Sequence, residues 1–444
     1  MIKINFKSRS KSTQIYIKQF SYNLLIRLGS IIISLIYVPL VIGYLSSERY
    51  GVWIALSSII NWMRLFDVGI GNGLRNKLTE AIALDQKEEG KILLSTAYFV
   101  MGGIFFVALI VALFVIPYLN WNIILNTNEF TITELKTLAT IVVSFIVIGF
   151  VVQIVTTIPM SLGKSSIPGF LQLVISLLSL ILIYLATCYA PKEDIILISF
   201  ILTGVPILVY LIYSFYLFQL KYPELRPSIQ HIRFAGSGDL FRLSSQFFIV
   251  QITAIILFSS IPFVVTQFYG PIAVTQYAVA SSIFNLPILL INQVTAPLAP
   301  LVTQAYAKQE ISWISNMLNK MKKISIAVVL LTIVMIIMSP WIYHLWIGNK
   351  VLIPRSLSIA VGLYAIINVL VNPYSIFLNA LGKIQILVNL APLGIFIFIG
   401  GCFLFDFLFH EVYAISMALS FSSLVGLVII PPVIRKTLNT YGSI

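Results

Sequence analysis

The chain has 444 residues, 59% of them hydrophobic and only 10% charged, with a mean hydropathy of +1.00. Water-soluble domains are about half apolar and a quarter charged, so the composition excludes a soluble globular fold and predicts an integral membrane protein. The net charge of +13 raises nucleic acid as a partner, and the placement of the basic residues, traced below, argues against it.

Crossing the hydrocarbon layer takes about 20 residues of helix. The polar, basic first twenty residues lead into a helix near Tyr22–Leu45, and with no small-residue cleavage site this start reads as an uncleaved anchor. A second helix begins at Tyr50. Uncharged runs follow at Ile92–Leu119, Thr137–Gly163, Ser165–Pro191 and Ile195–Leu220. The basic stretch Lys221–Arg242, with Pro223, Pro227 and Gly236–Gly238, is a linker. Leu243–Ala307 is uncharged throughout and about three spans long; Tyr269, Gly270 and Pro271 punctuate it, which predicts two helices joined by a tight turn. Ile324–Tyr343, Ser356–Gly382, Ile384–Phe405 and Val412–Ile434 complete the set. Long continuous apolar runs differ from the short alternating segments of a membrane barrel. The prediction is an all-α integral membrane protein of about twelve transmembrane helices in two pseudo-symmetric six-helix lobes, 1–220 and 239–444, joined by a cytoplasmic linker at 221–238.

Basic residues accumulate in cytoplasmic loops. With the N-terminus inside, the outer segments hold only Arg49, Lys136, Lys192, Lys350 and Arg355 of the 28 lysines and arginines. Both termini are therefore expected in the cytoplasm, and the positive charge is explained without nucleic acid. Cys188 and Cys402 lie in apolar segments and read as buried small hydrophobes, with a periplasmic disulfide as the alternative. No metal site is suggested. The three histidines are scattered, and no outer loop is long enough for an extra domain, so an enzyme is not expected.

The two halves repeat. Residues 55–83 laid over 279–307 match Ser57, Ser58, Ile59 and Asn61 with Ser281, Ser282, Ile283 and Asn285, and Leu74, Thr79, Ala81 and Ala83 with Leu298, Thr303, Ala305 and Ala307. Tyr50–Gly51 recurs as Tyr269–Gly270, and Leu162–Gly163–Lys164 as Leu381–Gly382–Lys383. Six helices per copy place both halves the same way up, related by an axis along the membrane normal, as in transporters. Charge is not repeated: Arg64, Asp67, Arg75, Lys77 and Glu80 face Ile288, Ile291, Ala299, Leu301 and Gln304. The first half is thus expected to hold the anion-recognising part.

Ser57, Asn61 and Arg64 fall on one helical face, and Ser281, Asn285 and Asn292 form a similar stripe. Such stripes face a bundle interior or a water-filled cavity, or else supply interhelical hydrogen bonds that hold the bundle together. Arg27 and Arg64 are the stronger phosphate-binding candidates, because a guanidinium offers two parallel hydrogen bonds to phosphate oxygens; the alternative is snorkelling from the cytoplasmic ends of helices one and two. Asp67 is placed to pair with Arg64. Arg75 joins the binding set, although the positive-inside bias alone accounts for it. Gly69, Gly71 and Gly73 follow a membrane helix rather than a strand, so they are not a dinucleotide fingerprint. They read as a flexible break or as backbone amides offered to phosphate. Pro297 and Pro300 stand at the equivalent place in the second half, and both sets are candidate hinges.

The segment from Phe66 to Ala81, Phe-Asp-Val-Gly-Ile-Gly-Asn-Gly-Leu-Arg-Asn-Lys-Leu-Thr-Glu-Ala, resembles the bacterial oligosaccharide flippases called Wzx, of the multidrug/oligosaccharidyl-lipid/polysaccharide exporter superfamily. The resemblance implies a MATE-like architecture over essentially the whole chain. It also implies transfer of undecaprenyl-pyrophosphate-linked oligosaccharide repeat units from the cytoplasmic to the periplasmic leaflet of the bacterial inner membrane, for O-antigen or related polysaccharide. A polysaccharide polymerase and a chain-length regulator are the protein partners this implies. For the sugars, Gln246, Tyr277 and Asn285 offer hydrogen bonds and ring surface. No cofactor is expected beyond a coupling H+ or Na+, for which Asp67 and Asp239 are the available acids. The alternatives are a multidrug exporter, which needs acidic residues in its cavity, a lipid II flippase, a polysaccharide polymerase, which would carry a large periplasmic loop, and a non-transporting scaffold.

Overall fold

The structure, a computed structural model, describes residues 11–61, 70–164, 166–233, 259–295, 298–307 and 309–442. Every regular element among them is a helix. In chain order these are α1 (Lys11–Leu45), α2 (Ser47–Asn61), α3 (Ile70–Ala83), α4 (Lys87–Val115), α5 (Trp121–Ile124), α6 (Ile132–Gln153), α7 (Thr157–Ser161), α8 (Ser166–Tyr189) and α9 (Ile195–Tyr216), then α10 (Ile261–Thr295), α11 (Leu298–Ala307), α12 (Ile311–Trp346), α13 (Arg355–Ala380), α14 (Ile384–Phe409) and α15 (Tyr413–Gly442). Among the described residues, 10 helical stretches are long and apolar enough to cross a membrane. The predicted second span ends where the description ends, at Asn61, and most of the predicted seventh falls on residues outside it. The predicted turn is present: Gly270, at φ 80° and ψ 177°, breaks α10 just before Pro271.

Two compact units form, one from Met1–Ser46, Ile60–Ile123 and Asn128–Phe248, the other from Ser47–Ile59, Ile124–Thr127 and Ile249–Ile444. In the first, α1 packs on α8, α8 on α9, α9 on α6, α6 on α4 and α4 on α3. Small residues let these helices close up: a β-carbon on Gly29 would meet Leu173 at 3.2 Å, and one on Gly204 would meet Phe145 at 3.3 Å. Without a hydrophobic drive inside lipid, such close packing is what holds helices together. Rings add to it, Phe105 stacking on Phe150 and Phe145 meeting Phe200 edge-on. Thr131 and Glu134 close a reciprocal capping box at the start of α6, and Asp194 caps α9 through Leu197 N–H.

The ends of this unit's helices sort into two sets. Tyr44 donates to the Pro191 carbonyl and its own carbonyl accepts from Glu193 N–H, so the end of α1 and the α8–α9 turn share one side. On the other, residues 221–233 fold back over the start of α4: Ser228 N–H donates to Ser95 Oγ, Arg233 N–H to Thr96 Oγ1, and His231 Nε2 lies 3.4 Å from Glu88. The linker is thus docked on α4, at least up to Arg233.

In the second unit α13 is the centre, packed by α10, α12 and α15, with α14 on α15. The pairs α12/α13, α13/α15 and α14/α15 repeat α4/α6, α6/α9 and α8/α9. The Leu-Gly-Lys repeat has a structural meaning. Gly163 (φ 72°) and Gly382 (φ 73°) are left-handed residues ending helices; Lys164 N–H returns to the Pro159 carbonyl and Lys383 N–H to the Leu378 carbonyl. Each is a Schellman cap, which satisfies carbonyls the helix leaves free. Cys402 is buried, whereas Cys188 is exposed and the two are unpaired. This removes the disulfide alternative and corrects the expectation that both thiols are buried. Cys188 shares an outward stretch of α8 with exposed Tyr184, Leu185 and Tyr189, and beside lipid tails an outward apolar face costs little.

Candidate functional site

The site grows from one face of α10. Tyr277, Ser281, Asn285 and Ile288 follow helical spacing and line a cavity of about 130 Å3 together with Ile261, Phe284 and, from α13, Val361 and Tyr364. Close packing of α10 on α13 sets its wall. Gly362 leaves room for Ile336 and Phe284, so that a β-carbon there would come within 2.4 Å of the isoleucine side chain. Asn368 Nδ2 donates to the Tyr364 carbonyl one turn back.

The polar groups that line the cavity among the described residues are neutral. The Tyr277 phenol lies beside Ser281 and near Tyr364, yet no contact of hydrogen-bonding geometry reaches Ser281 Oγ, which is buried without a partner among the described residues. The repeat-related Ser57 Oγ, on α2, is buried and unpartnered in the same sense. Their neighbours behave oppositely: Ser58 Oγ donates to the Ala55 carbonyl at 2.7 Å and Ser282 Oγ to the Ala278 carbonyl at 2.8 Å. In each copy the second serine satisfies itself on its own helix while the first is left open. An unmade buried hydroxyl costs about 1–3 kcal/mol, which a ligand's hydroxyl or an ordered water offsets.

The polar stripe predicted on this helix divides. Asn292 accepts from Asn372 Nδ2 at 2.6 Å, and Thr295 Oγ1 donates to Asn372 Oδ1 at 3.1 Å, so this end of the stripe joins α10 to α13. Ser281 and Asn285 line the cavity instead.

Of the residues singled out from the sequence, Tyr277 and Asn285 are brought together. Arg64, Asp67, Gly69, Gln246, Asp239 and Pro297 lie outside the described residues, as does the side chain of Asn61. Arg27 is exposed on α1 and Arg75 half-buried on α3; both belong to the first unit. The Arg75 carbonyl accepts from Ser161 Oγ at 3.1 Å. Gly71 and Gly73 fall within helix α3, and Pro300 within α11. Sequence reasoning missed Tyr364. Its signal was faint: Tyr364 and Asn368 are a polar pair at i, i+4 on a helix that carries several other polar side chains.

The architecture matches solved transporters along nearly its full length. An inward-facing multidrug resistance MATE family transporter of the MOP superfamily superposes with a TM-score of 0.74 at 14% identity, covering 95% of this chain and 96% of that one. The chain has the fold of the MOP-superfamily transporters. The lipid II flippase MurJ, in an inward closed conformation, shares it with a TM-score of 0.70 at 17% identity, over 93% of this chain and 87% of that one. By sequence the chain is similar to a Salmonella typhimurium protein named "Putative O-antigen transporter", 23% identical over 297 residues. That stretch is 66% of each chain, so the match spans just under two thirds of the relative. No family model matches. The MATE-like architecture and the resemblance carried by Phe66–Ala81 are thus both met by independent likenesses, and the chain is a multi-pass membrane protein.

Proposed function

We propose that this chain is a flippase that moves undecaprenyl-pyrophosphate-linked oligosaccharide repeat units from the cytoplasmic to the periplasmic leaflet of the inner membrane by alternating access. The observation that carries the reading is the cavity of Tyr277, Ser281, Asn285 and Tyr364, which among the described residues presents hydroxyls, an amide and ring faces but no carboxylate. A soluble cationic drug calls for acidic residues; a sugar calls for neutral hydrogen-bonding groups and aromatic surface. Ser281, Asn285 and Ile288 are also the repeat counterparts of Ser57, Asn61 and Arg64. On that correspondence the first copy has an arginine, Arg64, where the second has Ile288, and its guanidinium is the group proposed to receive the pyrophosphate. The lipid tail stays in the bilayer, the glycine and proline stretches near Gly69–Gly73 and Pro297–Pro300 serve as hinges, and an H+ or Na+ gradient supplies the energy.

The test is complementation in a strain lacking its own repeat-unit flippase. The wild-type gene should restore surface polysaccharide. Arg64→Ala and Tyr277→Ala should abolish restoration while protein level in the membrane holds. Full complementation by both variants would overturn the assignment, and rescue of lipid II transport alone would move the substrate to peptidoglycan precursor.

A further inference from the structure

A second cavity, of about 200 Å3, lies between α12 and α13, lined by Leu318, Lys322, Ser325, Ile326, Leu370, Pro373 and Tyr374. Pro373 sits inside α13, where it has no N–H to give and its ring crowds the carbonyl of Val369 one turn back. On α12 the gap lies beside the basic residues Lys320, Lys322 and Lys323, of which Lys322 is part of its lining.

Two observations show that the gap is built to hold something. Ser325 is 3% exposed and its hydroxyl has no hydrogen-bond partner among the described residues, although its spacing on a helix would let it back-bond as Ser282 and Thr332 do. Lys322, on the same face one turn earlier, also lines the cavity, and Arg435 of α15 is near enough to act electrostatically on the Tyr374 hydroxyl. A buried donor and a cation converging on one void describe an anion site. The remaining walls are Leu318, Ile326, Leu370 and Pro373, and α12 continues away from the void with Ile326, Leu330 and Ile337 each more than half exposed. Those side chains suit acyl chains. The occupant must therefore be anionic at one end and hydrocarbon at the other.

We propose that this cavity is a binding site for an anionic phospholipid of the leaflet that borders the basic end of α12. Its phosphodiester is held by Lys322 and Ser325, with the Tyr374 hydroxyl beside it, and its chains run along Ile326 and Leu330. Basic pockets between membrane helices are suited to such head groups. The site uses no residue assigned to oligosaccharide transport and stands whether or not that reading holds.

The test is native mass spectrometry of the purified full-length protein titrated with dioleoyl phosphatidylglycerol, dioleoyl phosphatidylcholine or inorganic phosphate. Phosphatidylglycerol should be retained about fivefold more tightly than phosphatidylcholine, the factor one well-placed surface lysine contributes, and inorganic phosphate should not displace it. Lys322→Gln and Ser325→Ala should each erase that preference, whereas Lys323→Gln, outside the cavity, should keep it. Ser325→Ala removes a buried hydroxyl with no partner among the described residues, so this variant should fold at least as stably as the wild type. Equal retention of the two lipids, displacement by inorganic phosphate, or an equal loss in Lys323→Gln would each overturn the proposal.

Discussion

The α-carbon of Gly51 lies directly against the carbonyl of Pro271: a β-carbon at Gly51 would come within 1.9 Å of that oxygen. Thr275 Oγ1 donates to the Ser47 carbonyl alongside, and Thr127 Oγ1 to Glu48 at 2.9 Å, so backbone meets backbone where α2 enters the second unit. Because the obstacle is main chain and not a flexible side-chain end, Gly51→Ala must displace α2. Overpacking of this kind costs about 1–3 kcal/mol, and the expected result is a lowered melting temperature in detergent with reduced surface polysaccharide. Unchanged stability would mean that this contact is not rigid.

The paired serines make a contrasting forecast. Ser57→Ala and Ser281→Ala remove hydroxyls that have no partner among the described residues, so each should raise thermal stability by about 1 kcal/mol while lowering transport. Ser58→Ala and Ser282→Ala, which break bonds to their own helices, should change stability by less than about 0.5 kcal/mol. The check is a melting curve for all four variants beside the complementation assay.

Asn292 and Asn372 should behave as a coupled pair. Asn372→Ala takes away the donor to Asn292, and Asn292→Ala leaves Asn372 bonded to Thr295 alone; a double-mutant cycle should return a coupling of about 0.6 to 1.7 kcal/mol, the range for bonds between membrane helices. A coupling indistinguishable from zero would show that water replaces the bond.

Gly163→Ala and Gly382→Ala each force a β-carbon into the left-handed region, at about 1 kcal/mol apiece. The caps share no partners, so the double variant should lose the sum of the two, read as the shift in midpoint of denaturant unfolding.

Orientation is tested by reporter fusions. Fusions at Lys87 and Ser228 should report cytoplasm, since the linker carrying Ser228 is bonded to α4 at Ser95, and one at Asn126 should report periplasm. The reverse pattern would invert the direction of transport proposed above.

The membrane class, the all-helical architecture and the repeat were legible in the sequence because each rests on properties that accumulate along the chain. About 20 apolar residues in a row have one physical outcome in lipid, and Leu-Gly-Lys marks a cap wherever a helix must end on a left-handed residue. The polar stripe on α10 was legible too, but not its division of labour. Only the packing of α13 against α10 decided that Asn292 would be consumed by Asn372 while Ser281 and Asn285 faced a cavity, and it alone brought in Tyr364, some eighty positions away. The same holds for Ser325, which in sequence is one hydroxyl among several on its helix and proves to be a buried donor beside a cavity, with no partner among the described residues, only once α12 is packed on α13. Helical propensity and hydropathy are sums over neighbours in sequence, whereas a hydrogen bond depends on which group stands within about 3 Å, and between helices that is settled by the tertiary fold.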